Sequence, residues 1–442
     1  MSSSTGRHRK PKPAGVAVRR ALVVAASAPV ATAMLLGQGS AFAADQPTTA
    51  TAPDHIADSA DEQIAKNLDT RVQNAAFANS TFSGLVIDEE SGKTVWNHNG
   101  DTVLMPASNA KLATATAALT VLGPNHRFTT RALYNDGVVT LVGGGDRLLS
   151  TADLTSMAAD VVSHLQYAGV KSVQVQVDDS LFPEPALAPG WDPSYFTDVI
   201  PPVRALSVDE NFTQDTSLDA GQVFAKQLTA KGLTVTGSIT RGTVHPGQAL
   251  PLAVHQSPTV ADTVHRMLKK SDAQIAESLL RMTALHTGRP ATFEAGSEVV
   301  TEVLRNYGIS LENFKLYDGS GLSREDRISA ETVAQILETD ADPRNRMILQ
   351  PVIDGLPVAG EAGSTLDTAL DRFDTPDSQC AVGKVMAKTG TLTGAIALSG
   401  LTRGSDGRWK IFSFIENGST AKTTDIRHAE DGLAATVNGC WA

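Results

Sequence analysis

The chain has 442 residues, 41% of them hydrophobic, enough for two or three domains with real cores and too apolar for a disordered chain. A net charge of -11 and a pI near 5.4 argue against nucleic acid as a partner, since gripping phosphates takes concentrated Lys and Arg. The acidic excess reads as solvated surface.

At the N-terminus, basic "GRHRKPKPAGVAVRR" runs into apolar "ALVVAASAPVATAMLLG" and then "SAFAA", a small-x-small cleavage pattern. These regions in this order predict a secretory signal over residues 1–43, cut after Ala43, and hence a secreted, extracytoplasmic or cell-wall protein. The apolar run at 21–37 is short for a membrane span, and no other run could cross a bilayer. "ADQPTTATAPDHIADSA" follows as a flexible lead-in over residues 44–60, and the amphipathic "DEQIAKNLDTRVQNAAF" opens the folded part.

"FSGLVIDEESGKTVWNHN" predicts two strands around a Glu-Ser-Gly turn, then a loop and a helix that starts within "MPASNAKLATATAAL", residues 105–119. In it Ser108 and Lys111 stand three apart, on one helix face. Ser is a favoured helix cap and Pro106 marks a chain entering a helix, so Ser108 could simply cap. Equally, the Lys111 amine could take the Ser108 proton and make it a nucleophile. The spacing also arises by chance, since Ser419 and Lys422 in "STAK" repeat it in what reads as a surface loop. Its meaning therefore rests on partners elsewhere.

From Arg127 to about Pro251 the chain consists of short β-rich segments such as "RALYNDGVVTLVGGGD" and "VKSVQVQVDD", with long Gly and Pro loops. This predicts an inserted unit over residues 127–251. Helical periodicity returns with "TVADTVHRMLKKSDAQIAESLLRMTALHTG", and the last quarter ends in strands "IALSGLTR" and "RWKIFSFIEN" joined by "GSDG". Just before them, "AKTGTLTG" carries Lys388, Thr389 and Gly390. The glycine would let a substrate backbone come close, and the lysine would bring positive charge to it.

Ser-x-x-Lys, Ser-Asp-Asn and Lys-Thr-Gly are the signature set of penicillin-binding proteins and class A β-lactamases. The chain also has a long insertion between the first two motifs, and the segments "VGGGD", "APGW", "ALSVDEN", "DGSGLSRED" and "RFDTP". With these it resembles the class C low-molecular-mass penicillin-binding proteins, the D-Ala-D-Ala carboxypeptidase/endopeptidase family, over essentially its whole mature length. The resemblance implies an α+β fold: a penicillin-binding, serine β-lactamase-like transpeptidase domain, an antiparallel sheet with helices, made by residues 61–126 and 252–442 and carrying a large β-rich insertion. It also implies peptidoglycan stem peptides ending in D-Ala-D-Ala as substrate, β-lactams as covalent inhibitors, and no cofactor.

Carried over residue by residue, the resemblance makes Ser108 the acylated nucleophile, Lys111 its base and Ser271 a proton relay toward the leaving amine. Lys388 and Thr389 would hold the substrate's terminal carboxylate beside Gly390, and the N–H groups of Ser108 and Thr391 would form an oxyanion hole. One position departs: in "KKSDAQIAESLL" Ser271 and Asp272 match the second motif, but the family's Asn is Ala273. Losing one such positioned polar group costs about 10²- to 10³-fold in rate, which slows catalysis without abolishing it. Gln274 is next in line, yet about 100° around the helix. A non-catalytic wall-binding homologue is the rival reading, and Ala273 is the residue that motivates it.

Other chemistries find less support. No His-Glu-x-x-His pattern or clustered Cys set offers a zinc site, no Gly-x-Ser-x-Gly elbow appears, and no Gly-Lys-Ser/Thr follows the glycines of "VGGGD". Trp191 and Tyr195 either touch the stem peptide or pack locally. Cys380 and Cys440, the two cysteines of a chain read as exported, suggest a disulfide contributing about 4 kcal/mol by loop entropy, with two buried thiols as the alternative. Mass spectrometry of secreted protein should find an N-terminus at or near Ala44. A secreted chain that still carries "ALVVAASA" overturns the signal assignment.

Overall fold

The computed structural model describes residues 54–245 and 247–441. The expected signal segment and the start of the lead-in lie outside the described residues. Helix α1 (Asp54–Arg71) begins ahead of residue 61, so the end of the expected flexible lead-in is helical. Early acidic residues and alanines suit a helix start.

The central sheet is antiparallel, built from the two ends of the chain. Strands β1 (Thr81–Asp88) and β2 (Thr94–His98) form the expected hairpin. After the short β3 (Val103–Leu104) comes α2 (Ala110–Leu122). Near the other end, β11 (Met386–Leu392), β12 (Ala395–Arg403) and β13 (Trp409–Asn417) complete the order β11-β12-β13-β1-β2, with β11 at the edge. Lys-Thr-Gly thus lies within a strand and not ahead of the pair.

The segment between is a second sheet. Strands β4 (Arg127–Asn135), β5 (Val138–Val142), β6 (Ser172–Asp178), β7 (Thr234–Val235), β8 (Thr240–Arg241) and β9 (Leu250–Thr259) run in the order β7-β6-β5-β4-β9, with β8 also on β6. Helices α3 (Thr151–Tyr167) and α5 (Thr216–Ala230) cover it around their own core of Leu141, Val161, Val175 and Phe224, and α4 (Tyr195–Asp198) is a single turn in the connecting loop. The β5–β6 pair is parallel, which requires the α3 crossover.

Helices α6 (Val260–Lys270), α7 (Ala273–His286), α8 (Phe293–Asn306), α9 (Ala330–Ala341) and α10 (Arg346–Gly355) return the chain to the first unit, with a two-residue β10 (Ile328–Ser329) on β3. They pack around α2, of whose residues only Thr120 and Val121 escape full burial. Its Ala- and Thr-rich sequence follows: small side chains let neighbours approach from all sides, and Thr114 and Thr116 spend their hydroxyls on the Gly319 carbonyl and Asp340. Helix α11 (Thr423–Val437) and α1 cover the other face of the sheet. Beyond α11, Cys440 is disulfide-bonded to Cys380 with Cα atoms 6.2 Å apart.

One buried amine ties α1 to the sheet. The Lys410 Nζ donates to Asp88 at 2.6 Å, to Asp406 at 3.0 Å and to Asp61 of α1. These three carboxylates stand close enough together to suggest a metal site, but the lysine supplies the cation. Lys410→Met should strand them and cost about 3–5 kcal/mol, read as a lower urea midpoint at unchanged slope. A loss under about 1 kcal/mol would show that the cluster is not a structural tie.

Candidate active site

Ser108 sits in a 3₁₀ turn (Ala107–Asn109) that leads into α2, and its hydroxyl caps nothing. Instead the Lys111 Nζ donates to Ser108 Oγ at 2.9 Å. The turn is forced: Ala107 has φ +46, a region that L-residues rarely occupy. Packing holds it there, since a Cβ on Gly390 would stand 2.7 Å from the Pro106 carbonyl and one on Gly321 would overlap the Ala107 carbonyl. Asn109 anchors the far side by donating to Ser399 Oγ at 2.8 Å.

Lys111 is fully buried, and its second partner is the Ser320 carbonyl at 2.6 Å. Burial pushes the amine down to about 8, against the opposing pull of Asp318, Glu277 and Asp272. An amine that sheds its proton near pH 8, aimed at a serine hydroxyl, can act as that serine's base.

The loop that holds Lys111 is itself pinned by carboxylates. Asp318 accepts the N–H groups of Ser320, Gly321 and Ser323 and the Trp191 indole N–H, the last at 2.6 Å. Glu277 of α7 accepts the N–H groups of Gly319 and Ser320 at 3.0 and 2.9 Å. Burial, with Asp318 adding repulsion, pushes the Glu277 carboxyl up to about 7, while Arg281 opposes the shift. Arg281 donates to Glu277 and stacks over Phe293 at 4.0 Å.

Ser271 ends α6 in the left-handed region (φ 57), and Asp272 restarts the helix by accepting the Ile275 N–H at 2.9 Å. The break points Ser271 Oγ at Lys388, whose Nζ donates to it at 2.8 Å. Ala273 opens α7, half-buried against the cluster that holds Phe182 and Trp191. Gln274 is buried and turned away, with its carbonyl on Arg147.

On β11, Lys388 is buried, its amine also bonded to the Thr389 carbonyl at 2.7 Å. Burial, then the charges of Lys111 and Arg372, hold that amine well below the usual lysine range. Thr389 Oγ1 donates to Thr365 Oγ1 at 2.9 Å. Thr391 lines a cavity of about 520 Å³ together with Tyr195, Leu322, Leu392 and Ile426.

The structure therefore gathers Ser108 with Lys111, and Ser271 with Lys388, around the Gly390 strand. Trp191 is packed in a core and Tyr195 reaches the cavity. Ser419 donates to the Ala76 carbonyl and Lys422 is exposed, so that pair forms no such centre. Sequence reasoning missed Glu277, Asp318, Arg281 and the Ser320 carbonyl; only "DGSGLSRED" had marked their loop.

A five-stranded antiparallel sheet flanked by helices, with a serine–lysine pair at the start of the buried helix, defines the penicillin-binding class of fold. Penicillin binding protein 4 of Haemophilus influenzae shares it, with a TM-score of 0.72 at 24% identity over 84% of this chain and 98% of its own. The same protein complexed with a β-lactam gives a TM-score of 0.64. A carboxypeptidase of Mycolicibacterium smegmatis is 33% identical over 396 residues, 83% of this chain and 83% of its own. One from Mycobacterium tuberculosis is 33% identical over 383 residues, 81% of this chain and 80% of its own. The D-Ala-D-Ala carboxypeptidase 3 (S13) family model matches residues 64–216 and 212–437, and the chain belongs to that family.

The pH dependence of acylation should follow Lys111. Below about pH 8 the amine is protonated and cannot accept a proton, so the second-order acylation rate should fall about tenfold per pH unit. Above it the rate should level off. Glu277→Gln removes one anion that favours the protonated amine, so the limb should move to lower pH. A flat profile from pH 6 to 9, or an unmoved limb in Glu277→Gln, would exclude Lys111 as the base.

Proposed function

We propose that the protein is a serine-type D-Ala-D-Ala carboxypeptidase/endopeptidase that acts on cell-wall peptidoglycan outside the cytoplasmic membrane. The observation that carries this reading is the 2.9 Å contact between the Lys111 amine, neutral above about pH 8, and the Ser108 hydroxyl. The division into a peptidase domain of residues 61–126 and 252–442 and an insertion of residues 127–251 belongs to the same reading, although the insertion's sheet runs on through β9 to Thr259.

In the proposed reaction the stem peptide lies along the edge of β11 beyond Ala387, whose N–H is taken by the Pro357 carbonyl, like an added strand. Ser108 Oγ attacks the carbonyl of the penultimate D-Ala while its proton passes to Lys111 Nζ. The oxyanion forms against the N–H groups of Ser108 and Thr391. Its collapse breaks the C–N bond, and the proton held on Lys111 passes through Ser271, which Lys388 orients, to the leaving D-Ala nitrogen. Water then attacks the acyl-enzyme and gives a proton to Lys111, which passes it to Ser108 Oγ as the ester C–O bond breaks and the shortened peptide leaves. β-Lactams enter the same first step and stay attached.

Ala273 lacks the amide that the family places over the substrate's peptide carbonyl and the base lysine, so the enzyme acylates slowly. Incubation with a fluorescent penicillin followed by mass spectrometry should label Ser108, with labelling lost in Ser108→Ala and kept in Ser419→Ala. Ala273→Asn returns a donor and an acceptor to a preorganised site and should raise the second-order acylation rate roughly 10- to 1000-fold, about 1.4 to 4 kcal/mol of transition-state stabilisation. Equal rates would defeat the slowed-enzyme reading, and no acylation of either protein would favour the non-catalytic wall-binding homologue.

A further inference from the structure

The carboxylate of a D-Ala-D-Ala peptide needs a cation, and the lysine that the family motif offers is poorly free to supply one. Lys388 Nζ is buried and already donates to Ser271 and to the Thr389 carbonyl. Its charge is also the disfavoured state, because burial and two neighbouring cations act against it.

A second cation stands beside the same strand. Arg427, on the first turns of α11, donates from its guanidinium to Thr391 Oγ1 at 3.1 Å. Thr389 and Thr391 pair with Leu398 and Ile396 of β12, which belong to the core under α11, so both threonines point to the Arg427 side of the sheet. The guanidinium is half-buried, its Nε is enclosed with no hydrogen-bond partner, and among the described residues no carboxylate lies at ion-pair distance from it. None of the acidic groups nearby bonds to it. Asp431 is paired with Arg372, Asp371 is not in contact, and burial pushes the Glu430 carboxyl far toward its neutral form. A partly desolvated guanidinium with no ion-pair partner, bonded to a threonine of the Gly390 strand that also lines a cavity with Tyr195 and Leu322, has the chemistry to receive a carboxylate.

We propose that Arg427, with Thr391, binds the terminal carboxylate of the substrate and makes the site select peptides with a free C-terminus. This rests on the proposed D-Ala-D-Ala reading. Arg427 is a specificity-determining residue, and Lys388 is left to orient Ser271.

The test uses the Ser108→Ala protein, which cannot turn substrate over, so an idle Arg427 and an inactive enzyme give different results. Calorimetry would compare a diacyl-L-Lys-D-Ala-D-Ala peptide with its C-terminal carboxamide. The acid should bind more tightly than the amide. Adding Arg427→Gln should weaken the acid about 10- to 100-fold, the range of a charge-assisted hydrogen bond, and leave the amide within about twofold. Arg427→Lys should keep part of the preference. Equal weakening of acid and amide would mean that Arg427 merely props Thr391, and an unchanged acid affinity, or no binding of either peptide, would also overturn the proposal. Penicillin labelling of the Ser108 protein separately decides the reading beneath it.

Discussion

Everything around the site follows from placing a lysine amine inside the protein without giving it a salt bridge. A buried ammonium loses several kcal/mol of hydration, and a direct carboxylate partner would return that energy and fix the proton in place. Lys111 instead has two neutral oxygens, Ser108 Oγ and the Ser320 carbonyl, with the anions of Asp318 and Glu277 one shell further out. At that remove they offset part of the desolvation and leave the amine near 8 rather than far below it. The outer carboxylates do not contact the amine because their oxygens are spent on backbone N–H groups of residues 319–323, the loop that presents the Ser320 carbonyl. One set of hydrogen bonds thus sets both the position of the acceptor and the field at the amine.

The same requirement explains the backbone strain. Ala107 and Ser271 both adopt positive φ, each costing on the order of 1 kcal/mol or more for a non-glycine residue. Both precede or carry a site hydroxyl, and both are held by packing from other elements. Ala107 is trapped between Gly321 and Gly390, where any side chain would collide with the nucleophile turn. Ser271 is fixed between Met267 of α6, whose carbonyl accepts its N–H, and the Lys388 amine. Elements from three distant parts of the chain therefore converge on one site.

That convergence decides what could be read from sequence. Ser108, Lys111, Ser271 and Lys388 could be picked out because their residue types stand in a recognisable order along the chain, and the structure puts Lys111 on Ser108 and Lys388 on Ser271. The β1–β2 hairpin and the β12–β13 pair were legible from alternation and turn residues. The Ser320 carbonyl was not, because every residue has a carbonyl and only tertiary closure selects one. Glu277 and Arg281 look like an ordinary i, i+4 pair on an exposed helix face, and nothing local says that the face is buried. Arg427, in "TTDIRHAED", is hidden the same way among charges that read as solvated. Trp191 had two readings, and its indole bond to Asp318 turned it into a support for the loop.

Two buried amines in one site impose a last constraint. Lys111 disfavours a proton on Lys388, and a substrate brings a carboxylate that favours protons on both. At an effective dielectric near 20, a charge about 8 Å away is worth roughly 2 kcal/mol, more than one pKa unit. If that carboxylate settled on Lys388, it would reprotonate the amine and, through the shared field, raise Lys111 just when a base is needed. A guanidinium that is charged at every working pH and stands on the far side of the β11 threonines can take the carboxylate without that penalty, because its own cation cancels the anion's field at Lys111. In the proposed reaction the charge of Arg427 is therefore as much a part of the base as the amine's burial.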